Sequence, residues 1–391
     1  MMRSAGTRGL AAVWTTLLLW AGLGLCTSTA GGQDSTQQVI RPPAGSLLEE
    51  PFKRFDSTLE SLRAEKHLPG LSVAVVKDQR IVFARGYGHS DAADRRATTL
   101  RTSYWIASVT KTFTAAVIMK LVEQHRLDLD MKVSAVPQWG DFCAELARSG
   151  LIFAGAQLPN LTIPPVDCGA PITIRQVLSH TVNGVPGERF IYNPVVYSEL
   201  ASIVHAVTGE DFAALLERFI LNPARMTDTM TSYYDQRRSY VLTNLAQPRR
   251  LTDDGRLVNS PNPRWDLGGG AGIISTALDL AKFDIALDRG RIVSPESRHR
   301  MFEPARSTAG VPLPYGLGWY VQEYDGLKLV WHSGWEPPAY SALILKVPEK
   351  GMTLVALANS EGLWWDNPLT EAQVQNSPFA RAFLALVGPG R

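Results

Sequence analysis

No residue class dominates this chain, and each shortage closes off a class of function. Beyond the first 30 residues no apolar run reaches the roughly 20 residues that a membrane-crossing helix needs, which argues against a membrane-spanning protein. Neither sign of charge prevails: taking Arg3 and Arg8 from the 39 basic side chains leaves 37, equal to the 37 acidic ones, so nothing resembles the basic footprint of a nucleic-acid binder. The seven histidines include no His-Glu-x-x-His or similar ligand spacing, so no metal site is expected. Internal repeats and low-complexity tracts are missing too, and solenoid or tail-like architectures fall away with them.

Cysteine is scarce, with three in 391 residues. Cys26 belongs to a segment, residues 1–30, that reads as a signal peptide: Arg3 and Arg8 precede an apolar run from Leu10 to Leu25, and Ser28-Thr29-Ala30 offers small residues for cleavage. The run is barely long enough to span a bilayer and holds several Gly and Thr residues, so cleavage near Ala30 is preferred to a membrane anchor. Lipoprotein processing at Cys26 is the weaker reading, because the preceding Leu25 is not small. The mature chain is then expected to be secreted or periplasmic, without a stable membrane span. Cys143 and Cys168 remain in a compartment that permits disulfides and are expected to pair, the alternative being two buried free thiols. Such a bridge would contribute about 3 kcal/mol by restricting the unfolded chain.

What is present is the material of a large core: 45% hydrophobic and 19% charged residues, as in a globular enzyme. Residues 31–47 are polar with Gly and Pro and read as a flexible lead-in. Leu48 to Lys66 has the helical spacing of apolar residues and stops at Pro69-Gly70. Leu71 to Lys77 and Arg80 to Tyr87 read as two strands turned by Asp78-Gln79, and Ser108 to Gln124 as a helix with the stripe Phe113, Val117, Ile118 and Leu121. From Asp128 to about Arg264 short helical patterns mix with loops, Glu199 to Ile220 being the strongest of them. After Gly268-Gly269-Gly270, the run Ser275-Thr276-Ala277-Leu278-Asp279 opens a helix with a capping signal. Strand-like runs follow at Tyr315 to Tyr324, Leu327 to His332, Tyr340 to Val347 and Met352 to Ala358, and a last helix runs from about Pro378 to Val387.

The chemistry starts at Ser108-Val109-Thr110-Lys111. Ser and Lys three apart on a helix share one face, so the amine can reach the hydroxyl. A serine at a helix start also sits where free backbone N–H groups and the positive dipole end favour a developing oxyanion. Its hydroxyl needs an adjacent base, and a lysine serves if burial lowers its pKa. The four-residue pattern alone is weak, since an N-cap serine followed by a solvated lysine reads the same way.

Two further segments change that balance: Leu178-Ser179-His180-Thr181 with Pro186-Gly187-Glu188-Arg189-Phe190-Ile191-Tyr192, and Trp331-His332-Ser333-Gly334 at the end of a strand. Together with Ser108-Val109-Thr110-Lys111 they resemble the three active-site motifs of the serine β-lactamase and penicillin-binding-protein superfamily, above all class C β-lactamases, D-alanyl-D-alanine carboxypeptidases and related esterases. The resemblance runs from about Leu48 to Leu386 and includes Pro69 to Val75 and Gly269 to Thr276. It implies that Ser108 is the acylated nucleophile, Lys111 its base, and Tyr192 the group that relays a proton to the leaving group and helps activate the deacylating water. It further implies that His332, Ser333 and Gly334 line the strand edge where substrate lies, and that the Trp335 backbone N–H joins that of Ser108 in the oxyanion hole. No cofactor is implied, and the expected partner is a small-molecule or peptide substrate; the oligomeric state stays open.

The chain departs from the family pattern in three places. Relatives mostly read Tyr-x-Asn, whereas Tyr192-Asn193-Pro194 lacks the substrate-binding amide at its usual position, leaving Asn193 as the candidate to replace it. The stretch between His180-Thr181 and Pro186-Gly187 is short. His332 stands where β-lactamases usually carry Lys, and a histidine near its normal pKa is mostly neutral at pH 7, which favours a peptidase or esterase over an efficient β-lactamase. A catalytically impaired binding protein on the same fold is the competing reading.

Other candidates are weaker. Gly88-His89-Ser90-Asp91-Ala92 approximates a nucleophile elbow, but the polar stretch after it cannot be the helix an elbow requires. His180 falls in a structural turn of the family pattern, and Trp364 and Trp365 suit a substrate wall, a partner contact or plain packing, so none receives a role. The expected fold is α/β (α+β): an antiparallel sheet flanked by the first and last helices, from about residues 48–107 and 268–391, with a mainly helical second lobe over about 108–267 and the site between the lobes.

Overall fold

In the computed structural model, which describes residues 39–264 and 266–388, α1 (Glu49–Glu65) leads into β1 (Gly70–Lys77) and β2 (Arg80–Gly88). Asp78 and Gln79, both at positive φ, turn that hairpin, the backbone geometry that matches the twist of paired strands. A short β3 (Ser103–Trp105) precedes a tight turn, Ala107–Val109, and α2 (Thr110–Glu123). Next come α3 (Gln138–Arg148), the hairpin β4 (Ala156–Leu158) and β5 (Leu161–Ile163), α4 (Ile174–Leu178), α5 (Pro194–Ser198), α6 (Leu200–Thr208), α7 (Phe212–Leu216) and α8 (Asn222–Ala224). A second hairpin, β6 (Arg249–Leu251) and β7 (Leu257–Asn259), precedes β8 (Ile274–Thr276), α9 (Ala277–Asp288) and α10 (Pro295–Phe302). The chain closes with β9 (Tyr320–Tyr324), β10 (Leu327–Glu336), β11 (Tyr340–Val347), β12 (Met352–Ala358) and α11 (Pro378–Val387).

The main sheet is antiparallel in the order β2-β1-β12-β11-β10-β9, so the first hairpin joins the C-terminal meander through β1 and β12. Central strands are buried on both faces, which is why β1, β11 and β12 read as near-continuous apolar runs rather than alternating ones. Alternation still sorts the side chains. Val73, Val75, Leu343 and Leu345 pack with Phe52 and Phe55 of α1 and Phe379 and Phe383 of α11, while Ala74, Val76, Ala342 and Ile344 belong to the core shared with Phe113 of α2 and Phe283 of α9. The α+β sandwich of sheet, terminal helices and helix-rich insert is the fold expected from the sequence. Between residues 108 and 267 the helices alternate with the two short hairpins, and β3 pairs with β8 to join the two ends of this stretch.

The signal peptide assigned to residues 1–30 lies outside the described residues. The end of the proposed lead-in is not loose: Ile40 exchanges two backbone hydrogen bonds of 2.9 Å with Ala84 on the edge strand β2, and Arg41 bonds to Asp56. The single helix read over Glu199 to Ile220 is broken. Gly209 ends α6 at φ +71°, and the Asp211 carboxylate then accepts from the Ala214 N–H to start α7, which runs through a π turn, Glu217–Leu221, into α8. Stop and cap chemistry overrides the apolar period there. The α9 cap is the Thr276 hydroxyl, accepting from the Asp279 N–H at 3.1 Å. Cys143 of α3 and Cys168 are joined by a disulfide.

Candidate active site

Ser108 sits one residue after Ala107, a non-glycine residue held at φ +46°. This costly left-handed step swings the chain from β3 into α2 and leaves Ser108 at the tip of the turn, where the first N–H groups of a helix lack intrahelical partners. One turn later the Lys111 side chain is fully buried, with its Nζ 3.0 Å from Ser108 Oγ and donating to the Gly270 carbonyl at 3.0 Å. It also lies over the rings of Tyr192 and Tyr197, at 5.2 and 5.3 Å. The amine has no salt-bridge partner among the described residues, and burial lowers its pKa from 10.5 to about 7. A neutral amine has two N–H groups and one lone pair; with one N–H spent on Gly270, the lone pair is available to the serine hydroxyl.

Tyr192 reaches the same place from the loop just ahead of α5, where its backbone N–H donates to Leu369 O at 2.7 Å and its phenol meets the Ser108 hydroxyl. Burial raises the phenol's pKa, and the contact with Ser108 works against that rise. The other wall is β10. Its Gly334 approaches the turn so closely that a Cβ there would lie 2.2 Å from the Ile106 carbonyl oxygen, so only glycine lets the strand meet the backbone ahead of the nucleophile. Beyond Gly334 comes Trp335, and β9 pairs with β10 only as far as Trp331, which leaves the stretch from His332 to Glu336 without a second neighbouring strand.

Two of the expected substrate contacts are buried and hydrogen-bonded within the protein. The His332 imidazole is fully buried: Nδ1–H donates to Ser333 O at 2.7 Å and Nε2 accepts from the Tyr315 hydroxyl at 2.9 Å. Burial, reinforced by Lys111, pushes its pKa down to about 3. It braces the strand as a neutral ring with both nitrogens engaged inside the protein. Asn193 is fully buried as well. Its Oδ1 caps α5 by accepting from the Val196 N–H, and its Nδ2 donates to Phe153 O at 3.2 Å and Asn183 Oδ1 at 2.9 Å, so both amide protons and the cap oxygen are engaged inside the protein.

His180 occupies a turn at φ +54°, accepts from the Asn193 N–H through Nδ1, and packs flat against Tyr197 at 4.9 Å. Burial, then Lys111, drives its pKa well down. Ser90 of the rejected elbow is buried and bonded to Arg96. Sequence reading missed Tyr197 and Tyr315: Tyr197 donates to the Lys111 carbonyl at 3.0 Å, and Tyr315 holds His332. Neither carries a local pattern that separates it from an ordinary core tyrosine.

Comparison with known proteins adds a family. The model of the family described as Beta-lactamase matches residues 55–375. Penicillin-binding protein 4* of Bacillus subtilis (strain 168) is 26% identical over 330 residues, covering 79% of this chain and 72% of that protein. Protein flp of Staphylococcus aureus (strain MW2) is 26% identical over 332 residues, covering 80% of this chain and 64% of flp, so the chain spans less than two thirds of that relative. Among solved structures, the octameric penicillin-binding protein homologue from Pyrococcus abyssi matches with a TM-score of 0.67 and 26% identity, covering 85% of this chain and 77% of that one.

Proposed function

The chain belongs to the beta-lactamase family and is a serine hydrolase, and from that premise we propose that it cleaves an ester, amide or D-amino-acid peptide through an acyl-enzyme on Ser108. The observation that carries this reading is the 3.0 Å approach of a fully buried lysine amine with a lowered pKa to the Ser108 hydroxyl. The neutral Lys111 amine takes the Ser108 proton as Oγ bonds to the substrate carbonyl carbon. The oxyanion that forms is held by the backbone N–H groups of Ser108 and Trp335, worth on the order of 100-fold in rate for each donor. Collapse breaks the bond to the leaving group, and the proton passes from Lys111 through the Tyr192 hydroxyl to the departing oxygen or nitrogen. Water then attacks the ester on Ser108, giving up a proton along the same path, and the free acid leaves with Ser108 restored.

The buried, uncharged His332 supports ester or amide substrates over β-lactams, because it offers no fixed positive charge to a substrate carboxylate. Residues 1–30 support export before the enzyme acts, with the catalytic domain from about residue 48 onward. No helix among the described residues is long and apolar enough to cross a membrane.

The test compares wild type with Ser108→Ala on short-chain esters, nitrocefin and D-alanyl peptides, with fluorophosphonate labelling followed by intact mass. The expected result is loss of turnover by about a thousandfold or more and loss of the covalent adduct. Undiminished turnover in Ser108→Ala removes Ser108 from the mechanism, whereas a wild type that neither labels nor turns over any substrate makes the protein a binder on this fold.

A further inference from the structure

Trp335, whose backbone N–H is one of the two proposed oxyanion donors, presents an apolar surface to solvent. Its side chain is 43% exposed although it directly follows Gly334, which is pressed against the turn that carries Ser108. Alternation along β10 puts it on the opposite face from His332 and on the same face as Trp331. There it stacks flat on Trp364, with ring centroids 5.3 Å apart and planes 9° apart, and the contacts continue from Trp364 to Trp365 at 5.4 Å and from Trp365 to Trp331 at 5.5 Å. Its Nε1–H donates to Glu361 Oε2 at 2.8 Å. Four indoles in series and one hydrogen bond thus hold an exposed ring in a single orientation, so a ligand stacking on it costs little further ordering.

The polar group fixed on this shelf is an acid. Glu361 is fixed beside the indole, the neighbouring His332 is buried and neutral, and the Lys111 amine lies at the base of the site beneath Tyr192 and Tyr197. A carboxylate on a bound molecule would meet the Glu361 carboxylate held beside the indole. We infer that the shelf of Trp335 and Trp364 receives a flat, apolar part of the substrate that carries no carboxylate. This inference rests on the reading of Ser108 as the nucleophile, and it narrows the substrate class to aryl-bearing or similarly planar esters and amides.

The test measures kcat and KM on four esters, namely methyl acetate, phenyl acetate, methyl phenylacetate and phenyl hydrogen succinate, so that the ring is offered on the alcohol or the acyl side and with or without a carboxylate. Wild type should prefer one of the aryl acetates to methyl acetate and discriminate against the succinate. Trp335→Ala should lower the ratio of kcat/KM for the preferred aryl ester over methyl acetate by about tenfold, mainly through KM, the equivalent of about 1.4 kcal/mol. Trp335→Phe should restore the ratio, and Glu361→Gln should raise the succinate relative to phenyl acetate several-fold. A wild type without aryl preference, or a ratio that Trp335→Ala leaves in place, overturns the shelf. If Ser108→Ala turns these esters over at the wild-type rate, the nucleophile assignment fails instead.

Discussion

The α-carbon of Gly334 faces the carbonyl oxygen of Ile106 so closely that a methyl group at position 334 would lie 2.2 Å from that oxygen, with the Ala342 Cβ at 3.1 Å on its other side. Both obstacles are fixed, one being backbone and the other the root of a side chain in β11. Gly334→Ala therefore has to push β10 away from the turn before Ser108, separating the two N–H groups proposed as the oxyanion hole. Ester kcat should fall about 100-fold with the fold retained. Circular dichroism and steady-state kinetics on one sample check it, and a kcat within twofold of wild type would mean that the two backbones do not cooperate.

Burial of Lys111 gives activity a defined direction with pH. The amine works as a base only when neutral, and its pKa is about 7, so kcat/KM should rise with pH through that value and level off above about 8. The same shift acts on stability. Between about 7 and the ordinary value of 10.5, the unfolded chain binds a proton that the folded chain does not, so the lysine's penalty is largest below pH 7 and shrinks as pH rises toward 10.5. Lys111→Met should lose hydrolysis, unfold at a higher denaturant concentration than wild type at pH 7, and show a smaller gain on going to pH 9. Equal pH slopes for the two proteins in urea titrations would place the charged amine in the folded state.

Tyr315 and His332 form a buried pair whose proton positions follow from geometry. Since Nδ1 faces a carbonyl, it must carry the ring proton, and Nε2 accepts from the tyrosine. Tyr315→Phe leaves that acceptor unpaired in a dry site and should destabilise the protein by about 1–3 kcal/mol. Denaturant midpoints at constant m-value provide the measure; an unchanged midpoint would mean that the pair contributes nothing to holding β10.

How far the sequence could be read follows from which signals are local. Both ends of α11 coincide with the residues read from sequence, because Ser377 caps it, Pro378 opens it and Gly388 follows it. The Ser108–Lys111 pair was legible for a related reason: three residues along a helix fix the distance between two side chains. Trp335 marks the opposite case. Its exposure depends on Trp364 and Glu361, which a separate loop brings beneath it. The internal engagement of His332 and Asn193 was hidden for the same reason, since Tyr315, Phe153 and Asn183 claim their polar atoms from distant parts of the chain. Motif spacing places a residue near the site, but only tertiary contacts decide whether its side chain faces substrate.

The internal bonding of Asn193 makes its own prediction. If the amide serves the α5 cap and the Phe153 and Asn183 contacts, Asn193→Ala should cost about 1–3 kcal/mol of stability through a lost cap and unpaired partners. It should leave the relative kcat/KM values across the ester panel in their wild-type order. A selective rise in KM for one substrate class at unchanged stability would return Asn193 to the binding surface.

The disulfide extends that argument to the whole corner beside Tyr192. Cys143 and Cys168 enclose the segment that supplies the Phe153 and Pro164 carbonyls, the first accepting from both Asn183 and Asn193 and the second from Asn183. A second tie, from the Gly184 N–H to Pro165 O at 2.9 Å, fixes the same segment. Opening the bridge frees a loop with 25 residues of sequence separation and should cost about 3 kcal/mol, lowering the thermal midpoint by roughly 5 °C. Because Asn193 adjoins Tyr192, ester kcat should fall under reductant before the protein melts, and the double variant Cys143→Ser/Cys168→Ser should reproduce both changes without reductant. If kcat holds while the midpoint drops, the clip stabilises the insert and leaves the phenol where it is.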